Sequence, residues 1–123
     1  MKLAACRLFV DDLRAARAFY SDALALPVVA ENLDHGYCVF DLGGPQLVLE
    51  HVAPDAPADD RALVGRFTGL SLAVDDIATE YQRLTALGVT FAEPPEPQFW
   101  GGIVATFYDP ARNAWQLVQY PKS

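Results

Sequence analysis

Leu8-Phe9-Val10-Asp11-Asp12-Leu13 returns sixty-odd residues later as Leu72-Ala73-Val74-Asp75-Asp76-Ile77. Each copy is an apolar run broken by two aspartates and followed by apolar residues at helical spacing, which reads as a strand that ends at a helix start. Aspartate suits that junction. Its short carboxylate accepts hydrogen bonds from the unpaired N–H groups of the first helical turn, and its charge favours the positive end of the helix dipole. One copy would be an ordinary strand–helix junction, whereas two in similar surroundings predict an internally duplicated chain.

Outward from the first copy, residues 3–10 read as a strand with Ala4, Cys6, Leu8 and Val10 on one face and Leu3, Ala5, Arg7 and Phe9 on the other. Leu13, Ala16, Tyr20 and Ala23 or Leu24 form the apolar stripe of a helix over 12–24, followed by strands at 28–31, 37–42 and 46–52. Phe19 and Tyr20 are assigned to core packing. Ala53 to Asp60, rich in Pro and Asp, reads as a surface linker. The second half repeats the order: a strand at 67–74; a helix at 76–87 with apolar positions Ile77, Tyr81, Leu84 and Leu87; a short strand at 89–92; a proline-rich loop at 93–97; and a hairpin of 102–108 with 114–120. The fold class is α+β, with two tandem β-α-β-β-β modules: module 1 over 1–52, a linker over 53–65 and module 2 over 66–123, within one domain of 123 residues.

A net charge of −7 without clustered Lys or Arg argues against nucleic acid and acidic membranes as partners. No apolar run approaches the ~20 residues of a membrane span. The first seven residues lack the apolar core of a secretory signal, so a cytoplasmic location is expected. Cys6 and Cys38 are too few for a disulfide framework or a cysteine-rich zinc site and are expected as reduced, buried thiols.

Val10-Asp11-Asp12-Leu13, Phe19-Tyr20-Ser21-Asp22-Ala23-Leu24, Val74-Asp75-Asp76-Ile77, Leu87-Gly88-Val89, Trp100-Gly101 and Phe107-Tyr108-Asp109-Pro110 through Asn113, in this order, resemble the vicinal oxygen chelate superfamily. That superfamily includes glyoxalase I, bleomycin-resistance proteins and extradiol dioxygenases. The chain departs from its pattern at Ala25, where the family often has glycine, and at Ala111-Arg112-Asn113, which replaces Asp-Gly-Asn. The resemblance implies two modules whose sheets curl into an open cup with helices outside, a ligand inside the cup, and commonly a homodimer. In the family's enzymes four positions within the cup hold a divalent metal.

Carried over one at a time, those positions fall on Ala5, Val48, Gly69 and Gln116. Only Gln116 can donate to a metal, and a catalytic site usually needs about three protein ligands. The expectation is therefore no metal and no cofactor. His35 in a turn and His51, on the opposite strand face from Glu50, do not rebuild a site, and a dioxygenase needs two histidines and a carboxylate together. The candidate ligand-binding residues are Arg7, Phe9, Val48, Glu50, Ser71 and Gln116 by strand alternation, Tyr37 at the rim and Trp100 as a lid whose ring stacks on a ligand. Arg7 and Glu50 either fix a polar ligand or neutralise each other. No catalytic residue is assigned.

The leading expectation is a metal-independent small-molecule binding protein of the glyoxalase/bleomycin-resistance type, with sequestration of a drug or metabolite as its role. Whether it is an enzyme stays open. The alternatives are a glyoxalase-like lyase or isomerase, either metal-dependent or using Glu50, rather than a dioxygenase, and a dimeric scaffold with a vestigial pocket.

Overall fold

A computed structural model describes residues 1–122 and resolves the chain into two compact units. The first comprises Met1–Arg66 with Pro110–Asn113, and the second Phe67–Asp109 with the segment that begins at Ala114.

In the first unit the elements run β1 (Ala5–Val10), α1 (Leu13–Ala18), β2 (Val28–Asn32), β3 (Tyr37–Asp41), β4 (Gln46–His51) and a short α2 (Ala58–Arg61). The sheet order is β1-β4-β3-β2, with β1 parallel to β4 and the other pairs antiparallel. In the second unit β5 (Phe67–Ala73) leads through α3 (Ile77–Ala86) to β6 (Thr90–Phe91), β7 (Glu96–Pro97), β8 (Ile103–Tyr108) and β9 (Ala114–Gln119). Its order is β5-β9-β8-β6, again with the first strand parallel to the last, and β7 pairs with β8. The duplication predicted from the paired aspartates is present in the topology of both units.

The second aspartate of each pair is the one that caps. Asp12 accepts from the Ala15 N–H at 3.1 Å and Asp76 from the Thr79 N–H at 3.2 Å. Both sit in extended backbone, at φ −132° and −136°. The Thr79 N–H holds the Asp76 carboxyl below its ordinary range.

Strand alternation sets the core. Leu8, Val10, Cys38, Phe40, Leu47 and Leu49 are buried on the face that α1 covers with Leu13 and Ala16 and the turn after it with Tyr20. Tyr20 meets Phe40 with ring centroids 5.9 Å apart. Burial, with the nearby Glu31 charge, pushes the Cys38 thiol up, while the Arg17 guanidinium holds Glu31 below the usual carboxylate range. In the second unit Ile77 and Leu84 of α3 are buried against β8 and β9.

Several expectations shift. The first strand begins at Ala5, leaving Leu3 exposed. The first helix is α-helical only to Ala18 and finishes in a π-helical turn over Phe19–Ala23, with Leu24 N–H donating to the Phe19 carbonyl at 3.1 Å. The 53–65 linker carries α2, which starts behind Pro57, and Val64 bridges to Phe9. Leu87 is exposed, because it follows the last helical turn instead of continuing the stripe. The proline-rich loop contributes β7 at the edge of β8, where Pro97 needs no ladder N–H. Among the described residues no helix is long and apolar enough to cross a membrane.

Both departures from the family pattern carry a positive φ: Ala25 at 57° and Arg112 at 69°. These are the places where glycine is comfortable and a Cβ is not, at a cost of about 1–2 kcal/mol. Ala25→Gly is expected to raise the unfolding free energy by up to about 1 kcal/mol, after the greater freedom of the unfolded glycine is subtracted. Urea denaturation of the two proteins measures it, and a destabilised variant would contradict the backbone reading.

Candidate functional site

On the face of the first sheet away from α1, the register aligns Arg7 with Val48 and Phe9 with Glu50, while Tyr37 sits opposite Glu50 across β3 and β4. Arg7 and Glu50 are therefore diagonal neighbours, close enough for a two-pronged ion pair. The guanidinium donates from Nε to Oε2 and from Nη2 to Oε1, the latter at 3.0 Å. Bonding to Glu50, and then its charge, raises the Arg7 pKa above the ordinary value. The pair is partly exposed, so it orients side chains more than it stabilises the fold.

The pair borders an open depression of about 300 Å³, lined also by Phe9, His51, Val52, Asp60 and Leu63. The Phe9 ring carries Arg7 at 5.5 Å and Arg66 at 5.7 Å from its centroid, both within range of a cation–π attraction. Arg66 makes no ion pair among the described residues.

What positions this edge is Asn113, a fully buried polar side chain. Its Oδ1 accepts from the Gly65 and Arg66 N–H groups, each at 3.1 Å, and its Nδ2 donates to the Phe9 carbonyl at 3.1 Å. The side chain fastens the 64–66 segment to the free side of β1. Neither Arg66 nor the Asn113 clamp was among the residues singled out from sequence. Asn113 closes a quoted motif, which was a usable signal, whereas Arg66 stands in no pattern.

In the second unit Ser71 and Gln116 are register partners on β5 and β9, and Thr106 is the partner of Gln116 on β8. The Ser71 hydroxyl donates to Gln116 Oε1 at 3.0 Å. A small hollow of about 100 Å³ lies over them, bounded by Phe67, Gly69 and Trp115 as well. Trp100 does not line it. The indole packs against Tyr120, with centroids 6.2 Å apart, and lies so close over Gly102 that any side chain there would collide with it.

The structure thus gathers Arg7, Phe9 and Glu50 around one depression, places Val48 and Tyr37 beside them in register, joins Ser71 to Gln116, and sets Trp100 apart on the second unit's own segment. At the positions matching the family's metal ligands, Ala5, Val48 and Gly69 present no donor atom, and the Gln116 carbonyl oxygen is engaged by Ser71. Among the described residues no three His, Cys, Asp or Glu side chains gather to hold a metal ion. The donor set does not fit a divalent metal.

A family model described as the Glyoxalase/Bleomycin resistance protein/Dioxygenase superfamily matches residues 2–117. The uncharacterized protein YraH of Bacillus subtilis (strain 168) is 31% identical over 124 residues, covering 95% of this chain and 97% of that protein. The crystal structure of a member of the Glyoxalase/bleomycin resistance protein/dioxygenase superfamily from Sphaerobacter thermophilus DSM 20745 superposes with a TM-score of 0.78 at 31% identity, covering 97% of each chain. Lactoylglutathione lyase from Agrobacterium tumefaciens superposes with a TM-score of 0.76 at 23% identity over 96% of this chain and 92% of that one, a likeness of fold.

Proposed function

Because the chain belongs to the glyoxalase/bleomycin resistance protein/dioxygenase superfamily, we propose that it is a metal-independent member that binds a small organic molecule. One observation carries the reading: three of the four positions where the resemblance places metal ligands hold Ala5, Val48 and Gly69. A methyl, an isopropyl group and a hydrogen cannot coordinate an ion, so the chemistry left to this scaffold is recognition by shape, charge and hydrogen bonding. The depression beside Arg7, Phe9 and Glu50 has the mixed lining and the size of a small-ligand site, about 300 Å³. The reading includes a homodimer in the cytoplasm. The charge of −7 gives neither nucleic acid nor an acidic membrane a basic surface to meet.

Catalysis by a lyase or isomerase is the competing reading. Without a metal it would fall to Glu50 as acid or base, but both carboxylate oxygens of Glu50 accept from Arg7. A base so engaged must first release its partner before it can take a proton.

A screen of small organic acids, amines and neutral aromatics, read by protein-observed NMR, tests the proposal. Compounds are expected to shift residues around Phe9, and Arg7→Ala or Glu50→Gln to weaken those compounds about tenfold, since each substitution strips the ion pair of a partner at the wall of the site. No binder in any class, or affinities indifferent to both substitutions, would contradict it.

A further inference from the structure

In the second unit β5, β9 and β8 lie side by side, and their register sets Ser71, Gln116 and Thr106 in one cross-strand row. All three are uncharged hydrogen-bonding side chains on one face. The Ser71 hydroxyl donates to Gln116 Oε1, which turns the amide so that its NH2 group is left over. Among the described residues that NH2 group meets no acceptor, and neither does the Thr106 hydroxyl. Neither atom is sealed away, as among the described residues no buried side-chain nitrogen or oxygen lacks a partner. Two donors therefore face the hollow with their capacity unspent.

The hollow lies where β5 bulges. Its pairing with β9 slips between Phe67 and Ser71, and Gly69 takes a left-handed backbone at φ +72°. Phe67, at the rim, is 84% exposed. A volume of about 100 Å³ is enough for a small polar head group. None of the lining residues is ionisable. A carboxylate or ammonium placed there would lose its hydration without a countercharge, whereas a carbonyl oxygen would exchange water for two neutral donors.

We infer that this hollow is a binding subsite for an uncharged acceptor group, the carbonyl of an amide, lactam or ketone, held by the Gln116 NH2 group and the Thr106 hydroxyl. The flat part of such a ligand lies against Phe67. Ser71 acts as a positioning residue: it fixes which end of the Gln116 amide the ligand meets. The subsite differs in kind from the depression beside Arg7 and Glu50, whose lining is charged.

Benzamide, benzoate and benzylammonium share one ring and differ in the charge of the head group, so they serve as probes on the full chain, followed through the side-chain NH2 resonances of Gln116. Benzamide is expected to shift those resonances saturably, with benzoate and benzylammonium at least about fivefold weaker at the same place. Gln116→Leu and Thr106→Val, both followed through the backbone amide resonances of Ser71 and of the neighbours of position 106 because the first variant lacks the side-chain NH2 group, are each expected to weaken benzamide at least about fivefold, the second being nearly isosteric and so a safeguard should the first disturb folding. Ser71→Ala is expected to weaken benzamide less than Gln116→Leu does, because the amide remains but loses its orientation. Equal or tighter binding of either charged probe, unchanged affinity in Thr106→Val, or no shift at the solubility limit of benzamide would each overturn the inference.

Discussion

Asn113→Ala is expected to destabilise the protein by about 2–5 kcal/mol. The side chain is fully buried and satisfies three backbone groups: two N–H donors at Gly65 and Arg66 and the carbonyl of Phe9. Alanine fills none of those roles. Gly65 and Arg66 lie at the surface, where water replaces part of each lost bond, so the cost comes from the three bonds at about 1 kcal/mol each together with the hole left by the buried amide. Asn113→Asp separates the contributions. It keeps an acceptor for the two N–H groups but sets a carboxylate oxygen against the Phe9 carbonyl, so its stability should recover on protonation as the pH is lowered. Urea unfolding of both variants measures the effect, and a loss below about 1 kcal/mol for Asn113→Ala would show that the clamp is not what holds the 64–66 segment to β1.

Trp115→Ala is expected to cost about 3–5 kcal/mol. Trp115 is 2% exposed and stacks on Phe107, whose ring meets Phe91, whose ring in turn meets Tyr81 of α3, at centroid distances of 6.4, 5.8 and 4.8 Å. Removing the indole opens a cavity at the end of an aromatic chain that joins β9, β8, β6 and α3. The neighbours are strands held in register and cannot close it. Trp115→Phe should recover most of the loss, because the flat ring remains. Thermal unfolding by calorimetry reads both. A variant with alanine that melts within a few degrees of the wild type would mean that this unit is not organised on the aromatic chain.

The features legible in the sequence are those with a local or periodic cause. The two aspartate pairs marked both helix starts because capping is decided within three residues, and alternation placed Arg7, Phe9, Val48 and Glu50 on one face because the period of a strand is two. Asn113 stands at the end of the Phe107-to-Asn113 motif, but its role does not follow from that motif, because its partners lie 47 to 104 residues away. Arg66 escaped for the same reason: it reaches Phe9 only once the bridge between Val64 and Phe9 has formed. The short helix at Ala58–Arg61 hid in a segment whose Pro and Asp content suggested a plain connection, although Pro57 is well suited to preceding a helix. Ala25 and Arg112 were visible as departures from a pattern, but their meaning depended on φ, which no residue name supplies.

As proposed above, this scaffold works without a divalent metal. Calorimetric titration of chelator-treated protein with Ni²⁺, Zn²⁺, Mn²⁺ and anaerobic Fe²⁺ tests it most directly. With alanine, valine and glycine at three of the four positions, no stoichiometric heat is expected at micromolar concentrations for any of the four ions. Binding of one ion per chain at micromolar affinity or tighter, lost on Gln116→Leu, would overturn the metal-independent reading and make metal-dependent chemistry the better one.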